Sequence, residues 1–205
     1  IGIAFGVVIL PTLTRALTQD DTTKAQATIH AGLELAAFIA LPASVALAVM
    51  PREVLSTLFQ YGAFDSRATV QAGWILLALA LGLTPVVFQR ILYPAFYARK
   101  DTMTPMLLTF LGVGVQVAAA VTLFPRIGVL GLGLSVALAA WVQVVAAGWM
   151  TMRRGFWQLE GALLGRLVRC ALAAGVMGAV LFVAKLPLLP YFGAGNAWEK
   201  IPSMA

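Results

Sequence analysis

The sequence is short of charged residues. Only 11% of its 205 residues are Asp, Glu, Lys or Arg, whereas 61% are hydrophobic, and the mean hydropathy is +0.92. A soluble domain carries about 25% charged residues, so this chain has too few to cover its own surface against water. We therefore predict an integral membrane protein.

Cysteine and histidine are also nearly absent. Cys170 is the single cysteine, which excludes a disulfide or a multi-cysteine metal site within the chain. His30 is the single histidine, so neither an HExxH motif nor a Ser/His/Asp set is available. The acidic residues are scattered, whereas enzymes that act on lipid phosphates need clustered carboxylates to hold Mg²⁺. We predict a protein that is not an enzyme and that holds no metal or cofactor.

The basic residues exceed the acidic ones, which gives a net charge of +6. They are spread over the predicted loops and do not form the clustered basic face that nucleic-acid binding requires. We therefore expect no nucleic-acid partner. The basic residues are interpreted as anchors at the surface of a bilayer, with lipids as their partners.

The apolar residues form long segments, and a helix that crosses a bilayer needs about 20 of them. In hydrocarbon, every backbone polar group has to be satisfied within its own segment, which favours helices. We predict an all-α, polytopic transmembrane helix bundle of about six spans, the first of them partial. The spans are Ile1–Leu13, Ala27–Met50, Thr69–Ala98, Met103–Phe124, Ile127–Met152 and Leu163–Leu189. Because the chain begins within an apolar run and without Met, we expect a fragment of a longer protein.

The basic residues also predict the orientation of the spans. Loops after the first, third and fifth spans carry eight Lys or Arg residues, and the opposite loops carry five. The positive-inside rule places the first set in the cytoplasm. The loop with Arg99, Lys100 and Asp101 is then cytoplasmic, and Phe59–Asp65 faces outward.

Arg90 is a functional candidate because it lies within a predicted span, where a charge is costly. It precedes Pro94 by one turn, where the proline leaves a backbone carbonyl without its usual partner. Pro85 and Pro94 also predict a bend in this span. Arg90 either faces a water-filled cavity, where its planar fork can hold a phosphate, or it snorkels or pairs within the protein. Both arrangements keep Arg90 out of lipid, and the sequence does not decide between them.

Glu34 is the second charged candidate within a span. It lies roughly 10 Å along its predicted helix from the cytoplasmic end, and His30 lies one turn earlier on the same face. Glu34 can relay a proton, coordinate a cation or pair with Arg90. The alternative, which we favour, is an interfacial pair of His30 and Glu34 near the lipid headgroups.

Two short motifs have structural interpretations. Gly128, Gly131 and Gly133 open an uncharged span, which favours close helix packing over a phosphate-binding loop. The run Asp101-Thr-Met-Thr-Pro predicts a helix N-cap and an entry turn, with Pro105 in the first helical turn.

Five segments resemble, in order, those of the MurJ (MviN) lipid II flippases, which belong to the multidrug/oligosaccharidyl-lipid/polysaccharide exporter superfamily. The most specific is QRILYPAFYARKDTMTP at Gln89–Pro105; the others are Gly2–Leu17, Gly32–Leu47, Phe59–Asp65 and Gly128–Trp141. The resemblance implies part of a fourteen-helix, two-lobe transporter. Residues 1–162 would form second-lobe helices, from the end of helix 8 to helix 12. Residues 163–205 would form helix 13 and an outward loop that leads towards a last helix.

The resemblance also implies a function. A multi-pass protein of the bacterial inner membrane would move the peptidoglycan precursor lipid II from the cytoplasmic to the outer leaflet by alternating access. The membrane potential or an ion gradient would drive it, without a cofactor, and cell-wall synthesis proteins would be among its partners. Arg90 and Glu34 would be the substrate-binding candidates, with Arg99, Lys100 and Asp101 as a cytoplasmic loop motif.

Two other functions stay open at this point. The first is a related exporter of another polyprenyl-linked saccharide or of drugs, whose first lobe would have no cationic cavity. The second is an intramembrane enzyme that acts on polyprenyl lipids, which would require a carboxylate cluster before Ile1.

Overall fold

The computed structural model describes residues 22–59, 66–155 and 161–185 as six α-helices with the turns between them. The helices are α1 (Thr22–Val49), α2 (Pro51–Phe59), α3 (Ser66–Tyr97), α4 (Met103–Ile127), α5 (Val129–Arg153) and α6 (Gly161–Lys185). All except α2 are long and apolar enough to cross a membrane. The predicted fold class, an all-α bundle of membrane-spanning helices, is confirmed. The predicted partial span Ile1–Leu13 lies outside the described residues.

The short helix α2 was missed by the sequence analysis. It follows α1 after a single residue, Met50, and Pro51 occupies its first position, where a missing N–H breaks no helical hydrogen bond. Backbone hydrogen bonds continue across the junction, because Val54 N–H donates to the carbonyl of Met50 at 3.1 Å. Nine residues are too few to span a bilayer, so hydropathy does not detect this helix.

Prolines do not interrupt the long helices. α1 continues through Pro42, and α3 continues through Pro85 and Pro94. Close to these positions, the hydroxyls of Ser44 and Thr84 form a buried hydrogen bond of 2.9 Å that links α1 to α3. Such interhelical hydrogen bonds help to hold helices together in lipid. The bend of α3 stays a prediction.

The apolar core lies at the end of the bundle where α3 ends and α4 begins. All five long helices contribute buried side chains to it, among them Ile29, Phe96, Leu108, Val144 and Leu163. In a bilayer these contacts stabilise through close packing rather than through exclusion of water. The core gives the charged turn between α3 and α4 a rigid base.

Small residues allow α5 to lie close to α3 and α4. A Cβ added at Gly133 would stand 2.7 Å from the Cβ of Ala78, and one added at Gly131 would stand 2.8 Å from the carbonyl carbon of Leu123. Real Cβ atoms do not approach other atoms this closely. The predicted role of these glycines in close helix packing is confirmed. Gly128, with a φ of 62°, forms the turn between α4 and α5.

We expect Gly131→Ala to lower the free energy of unfolding by about 1–3 kcal/mol, the usual effect of overpacking. The new methyl group would meet backbone atoms of Leu123, which cannot rotate away as a flexible side chain can. Gly114→Ala is the matched control, since a Cβ there has nothing within 4 Å. It should be neutral or stabilising by up to about 1 kcal/mol, because alanine favours helix. Unfolding in mixed micelles titrated with a denaturing detergent measures both; equal destabilisation would contradict the close approach.

Candidate functional site

Most of the predicted functional residues lie at one end of the bundle. α1, α4 and α6 begin there, and α3 and α5 end there. We call it the Asp101 end, because the turn at residues 98–102 belongs to it, and we call the opposite end the Glu53 end. Glu34 and Arg90 lie in the halves of α1 and α3 that are nearer the Asp101 end. The cytoplasmic location of this end stays a prediction.

Polar side chains on either side of Arg90 attach α3 to α5. The Nε2 of Gln89 donates to the carbonyl oxygen of Ala140 at 3.0 Å. One turn further on, the hydroxyl of Tyr93 donates to Oε1 of Gln143 at 3.3 Å. These bonds fix the rotation of α3 about its own axis, and with it the direction in which Arg90 points.

Arg90 itself is exposed, on a part of α3 that no described helix covers. Val86 and Tyr97 lie on the same face and are 38% and 45% exposed. Arg90 makes no ion pair and no hydrogen bond with any other described residue. Of the arrangements left open by the sequence, pairing within the described part of the bundle is therefore not found. That a cavity or the membrane interface surrounds the guanidinium stays a prediction.

Glu34 pairs with α6. Its Oε1 lies 2.7 Å from Nη1 of Arg166. Pairing of Glu34 with Arg90, one of the roles that the sequence left open, is not found, because Glu34 lies on the face of α1 that meets α6, whereas Ile29 and Leu33 form the face that meets α3. The interfacial pairing of Glu34 with His30 stays a prediction.

Glu34 also has few companions that could share a cation. Within residues 22–59, 66–155 and 161–185, no three His, Cys, Asp or Glu side chains come together as metal ligands would. The role of cation ligand, which the sequence left open for Glu34, gains no support from the helices around it.

The turn between α3 and α4 is a helix C-cap followed at once by an N-cap. The Lys100 N–H donates to the carbonyl of Tyr97 at 2.9 Å, and the Asp101 N–H donates to that of Phe96 at 3.0 Å. Lys100 has a φ of 59° between them, as the residue after the cap does in a Schellman motif. Glycine usually fills that position, because a side chain there costs about 1–2 kcal/mol. Arg99 and Lys100 are both exposed.

Asp101 connects the turn to two helices. Its Oδ1 accepts from the Thr104 N–H at 3.0 Å, its Oδ2 accepts from the Thr104 hydroxyl at 2.7 Å, and the same Oδ2 pairs with Nη1 of Arg154 after α5. The predicted capping of α4 by this run is confirmed: Asp101 bonds to the first turn from the position before the N-cap residue Thr102, whose own side chain makes no cap hydrogen bond, and Pro105 lies in that turn as expected. The Thr104 hydroxyl and N–H, and to a lesser extent Arg154, hold the pKa of the Asp101 carboxyl below its usual range.

We expect Asp101→Ala to lower the free energy of unfolding by about 0.5–2 kcal/mol through loss of the hydrogen bonds that cap the first turn of α4, and Asp101→Asn to lower it less. Because the pKa is lower in the folded state, the stabilisation by the charge is fully present above the unfolded pKa of about 3.9 and is lost as the pH falls through the folded pKa. Unfolding in micelles at neutral and acid pH tests this. The difference between the native protein and Asp101→Asn should shrink below about pH 4, and a constant difference would contradict the assignment.

α6 forms a second ion pair, at the Glu53 end, which joins its last residue to α2. The Nζ of Lys185 lies 3.0 Å from Oε1 of Glu53 and donates to the carbonyl oxygen of Val49 at 3.0 Å. Both side chains are largely buried, with 18% of Lys185 and 8% of Glu53 exposed. The sequence gives no sign of this pair, because the two residues belong to distant segments and share no motif.

The helices form the fold of a multi-helix membrane transporter. A solved structure of lipid II flippase MurJ in an inward closed conformation matches with a TM-score of 0.78 at 16% identity, over 96% of this chain and 38% of its own. An inward-facing multidrug resistance MATE family transporter of the MOP superfamily matches with a TM-score of 0.63 at 16% identity, over 88% and 44%. At these identities the likeness shows the fold alone, a polytopic helix bundle that this chain shares with parts of both proteins.

The sequence narrows this class to one family. A family model described as lipid II flippase MurJ matches residues 1–196, so the chain belongs to that family. It is 37% identical to the "Probable lipid II flippase MurJ" of Rhizobium meliloti (strain 1021) over 184 residues. This alignment covers 90% of this chain and 34% of the relative. Over 196 residues it is 34% identical to the protein of the same description from Rhizobium tropici, covering 96% and 37%.

The chain thus spans about a third of the length of these relatives. Family membership, together with five apolar helices of spanning length, makes it a multi-pass protein of the bacterial inner membrane. The resemblance drawn from the sequence motifs is confirmed.

Proposed function

We propose that the protein carrying this sequence is a flippase that moves lipid II from the cytoplasmic to the outer leaflet by alternating access. Membership of the lipid II flippase MurJ family is the observation that carries the proposal, and the transporter fold supports it. Transfer between leaflets makes and breaks no covalent bond, so the proposal includes no catalytic residue and no cofactor. The membrane potential or an ion gradient supplies the energy.

The division of the chain into two parts belongs to the same proposal. Residues 1–162 are assigned to the second lobe and residues 163–205 to helix 13 with an outward loop. In support, α1, α3, α4 and α5 pack around one core, whereas α6 packs mainly along α1. Only Leu163, Ala174 and Gly178 of α6 are buried.

Arg90 is the residue proposed to hold the diphosphate of lipid II. Its guanidinium is exposed on α3, has no partner among the described residues and offers five N–H donors in a planar fork that suits phosphate oxygens. Glu34, which is paired with Arg166, is proposed to act on substrate binding through the position of α6. Arg99, Lys100 and Asp101 are proposed to brace the cytoplasmic end of the lobe.

A rescue assay tests the proposed cargo. Bacteria depleted of their own lipid II flippase would receive the full-length protein that carries this sequence, and outer-leaflet lipid II would be quantified alongside growth. We expect both to be restored. A well-expressed and correctly inserted protein that restores neither would contradict the proposal.

The second candidate is export of another polyprenyl-linked saccharide or of drugs. The likeness of fold to a multidrug resistance MATE family transporter favours it. The same strain separates the two candidates, because a drug exporter would raise drug resistance without restoring outer-leaflet lipid II.

A further inference from the structure

A groove of about 510 Å³ runs between α1 and α6. Its apolar wall includes Leu35 and Phe38 of α1 and Leu167 of α6. Leu35 is 50% exposed and Phe38 is 69% exposed. Both helices are long and apolar enough to span a bilayer, so an apolar wall of this kind suits contact with a lipid chain.

Three charged side chains also line the groove, and they do not balance. Arg166 and Arg169 are three residues apart on α6 and therefore lie on one face of the helix. Glu34 pairs with Arg166 only. Arg169 makes no ion pair and no hydrogen bond with any residue that the structure describes. Two arginines and one glutamate leave the groove with a single positive charge.

The depth of Arg169 makes this imbalance significant. It lies ~12 Å along α6 from Gly161, at about 1.5 Å per residue, and inside a candidate membrane span. A charged side chain at such a depth requires an anion or water beside it. An apolar groove with one unbalanced guanidinium near its end matches a molecule with an apolar chain and a single negative charge.

We propose that the groove between α1 and α6 binds an anionic phospholipid. Its phosphodiester lies between Arg166 and Arg169, and one acyl chain lies along Leu35, Phe38 and Leu167. A guanidinium fork can donate two parallel hydrogen bonds to a phosphate, and Arg166 keeps donors beyond the one used by Glu34. A phosphodiester without a cationic headgroup, as in phosphatidylglycerol, carries one net negative charge, which neutralises the groove, whereas phosphatidylcholine has no net charge and a diphosphate would overcompensate it. The inference goes beyond the transport of lipid II and does not depend on the cargo.

Photolabelling tests the assignment. The intact protein would be placed in phosphatidylcholine nanodiscs that contain a photoactivatable phosphatidylglycerol or, in parallel, a photoactivatable phosphatidylcholine. Labelled peptides would be mapped by mass spectrometry. We expect phosphatidylglycerol to label the peptides around Phe38 and Leu167 several-fold more than phosphatidylcholine does.

Variants identify the headgroup contact. Arg169→Gln should reduce labelling by phosphatidylglycerol to the level of phosphatidylcholine, and Arg169→Lys, which keeps the charge, should retain most of the preference. Arg126→Gln is the matched control, because Arg126 is exposed in the last turn of α4, outside the groove, and should leave labelling unchanged.

Three results would overturn the proposal. The first is equal labelling by the two phospholipids, or labelling that Arg169→Gln does not change. The second is stronger labelling of the groove by a photoactivatable polyprenyl diphosphate at equal concentration. The third is absence of lipid labelling with crosslinks from the groove to another segment of the protein, which would show that protein covers it.

Discussion

Arg90→Ala is expected to lower the rate of lipid II transfer about 10- to 100-fold in the full-length protein. A hydrogen bond to a charged group contributes about 1.5–3 kcal/mol, and about 1.4 kcal/mol corresponds to a factor of ten. Arg90 is the proposed cationic contact to the diphosphate, and it lies within a candidate span. The rate of transfer by Arg90→Lys should lie between the rates of the native protein and Arg90→Ala, because lysine keeps the charge but loses the planar fork.

Arg126→Ala is the control for this effect. Arg126 is also exposed, but it lies in the last turn of α4 at the Glu53 end. The measurement is outer-leaflet lipid II in bacteria depleted of their own flippase, normalised to the amount of inserted protein. Equal transfer by the Ala variants of Arg90 and Arg126 would show that Arg90 does not bind the substrate.

The same variant separates function from folding. Since Arg90 has no partner among the described residues, its removal leaves no polar group unsatisfied there. We therefore expect the free energy of unfolding to change by no more than about 0.5 kcal/mol, as for other exposed substitutions. A loss of transfer together with a large loss of stability would point instead to a structural role.

The spans and one helix boundary could be predicted from sequence because local physics determines them. Spans follow from the length of apolar runs, which the bilayer thickness fixes. The predicted start of α4, Met103, is the residue at which the helix begins. An aspartate just before a helix and a proline in its first turn both indicate a helix N-terminus. Close packing at Gly131 and Gly133 could also be anticipated, because small residues in an uncharged span have few other roles.

The ion pairs could not be predicted, because they depend on which helices are neighbours. Pairing of Glu34 with Arg90 was one of the arrangements that the sequence left open, but the packing of α6 along α1 gives Glu34 the partner Arg166. Glu53 and Lys185 meet because α2 lies beside the end of α6, and the sequence gives no signal for α2. A span fixes how deep a charge lies in the bilayer but leaves open the face on which it lies.

Lys185→Met is expected to lower the free energy of unfolding by about 3–5 kcal/mol, the usual effect of removing one partner of a buried ion pair. Only 8% of the Glu53 side chain is exposed, so its carboxyl group would lose its charged partner while it stays shielded from water. Its Oε2 already has no hydrogen-bond partner in the described part of the chain. The carbonyl of Val49 would lose a donor at the same time.

A double-mutant cycle isolates the pair. Glu53→Gln combined with Lys185→Met removes both charges and should recover much of the stability lost by Lys185→Met alone, because no unpaired charge then remains buried. Arg126→Met serves as the control for loss of an exposed charge at the same end, and it should change the free energy of unfolding by less than about 1 kcal/mol.

The loss should appear first in α6, because within the described residues this helix has only three buried positions. Ala174 and Gly178 are its buried residues beyond the core contact at Leu163, and a Cβ at Gly178 would meet the side chain of Val45 at 2.4 Å. In Lys185→Met we expect hydrogen exchange in the last turns of α6 to accelerate before that in α3 and α5, as a locally unstable unit does. Unchanged exchange in α6, with unchanged stability in the same micelles, would mean that the pair between Glu53 and Lys185 does not hold the helix in place.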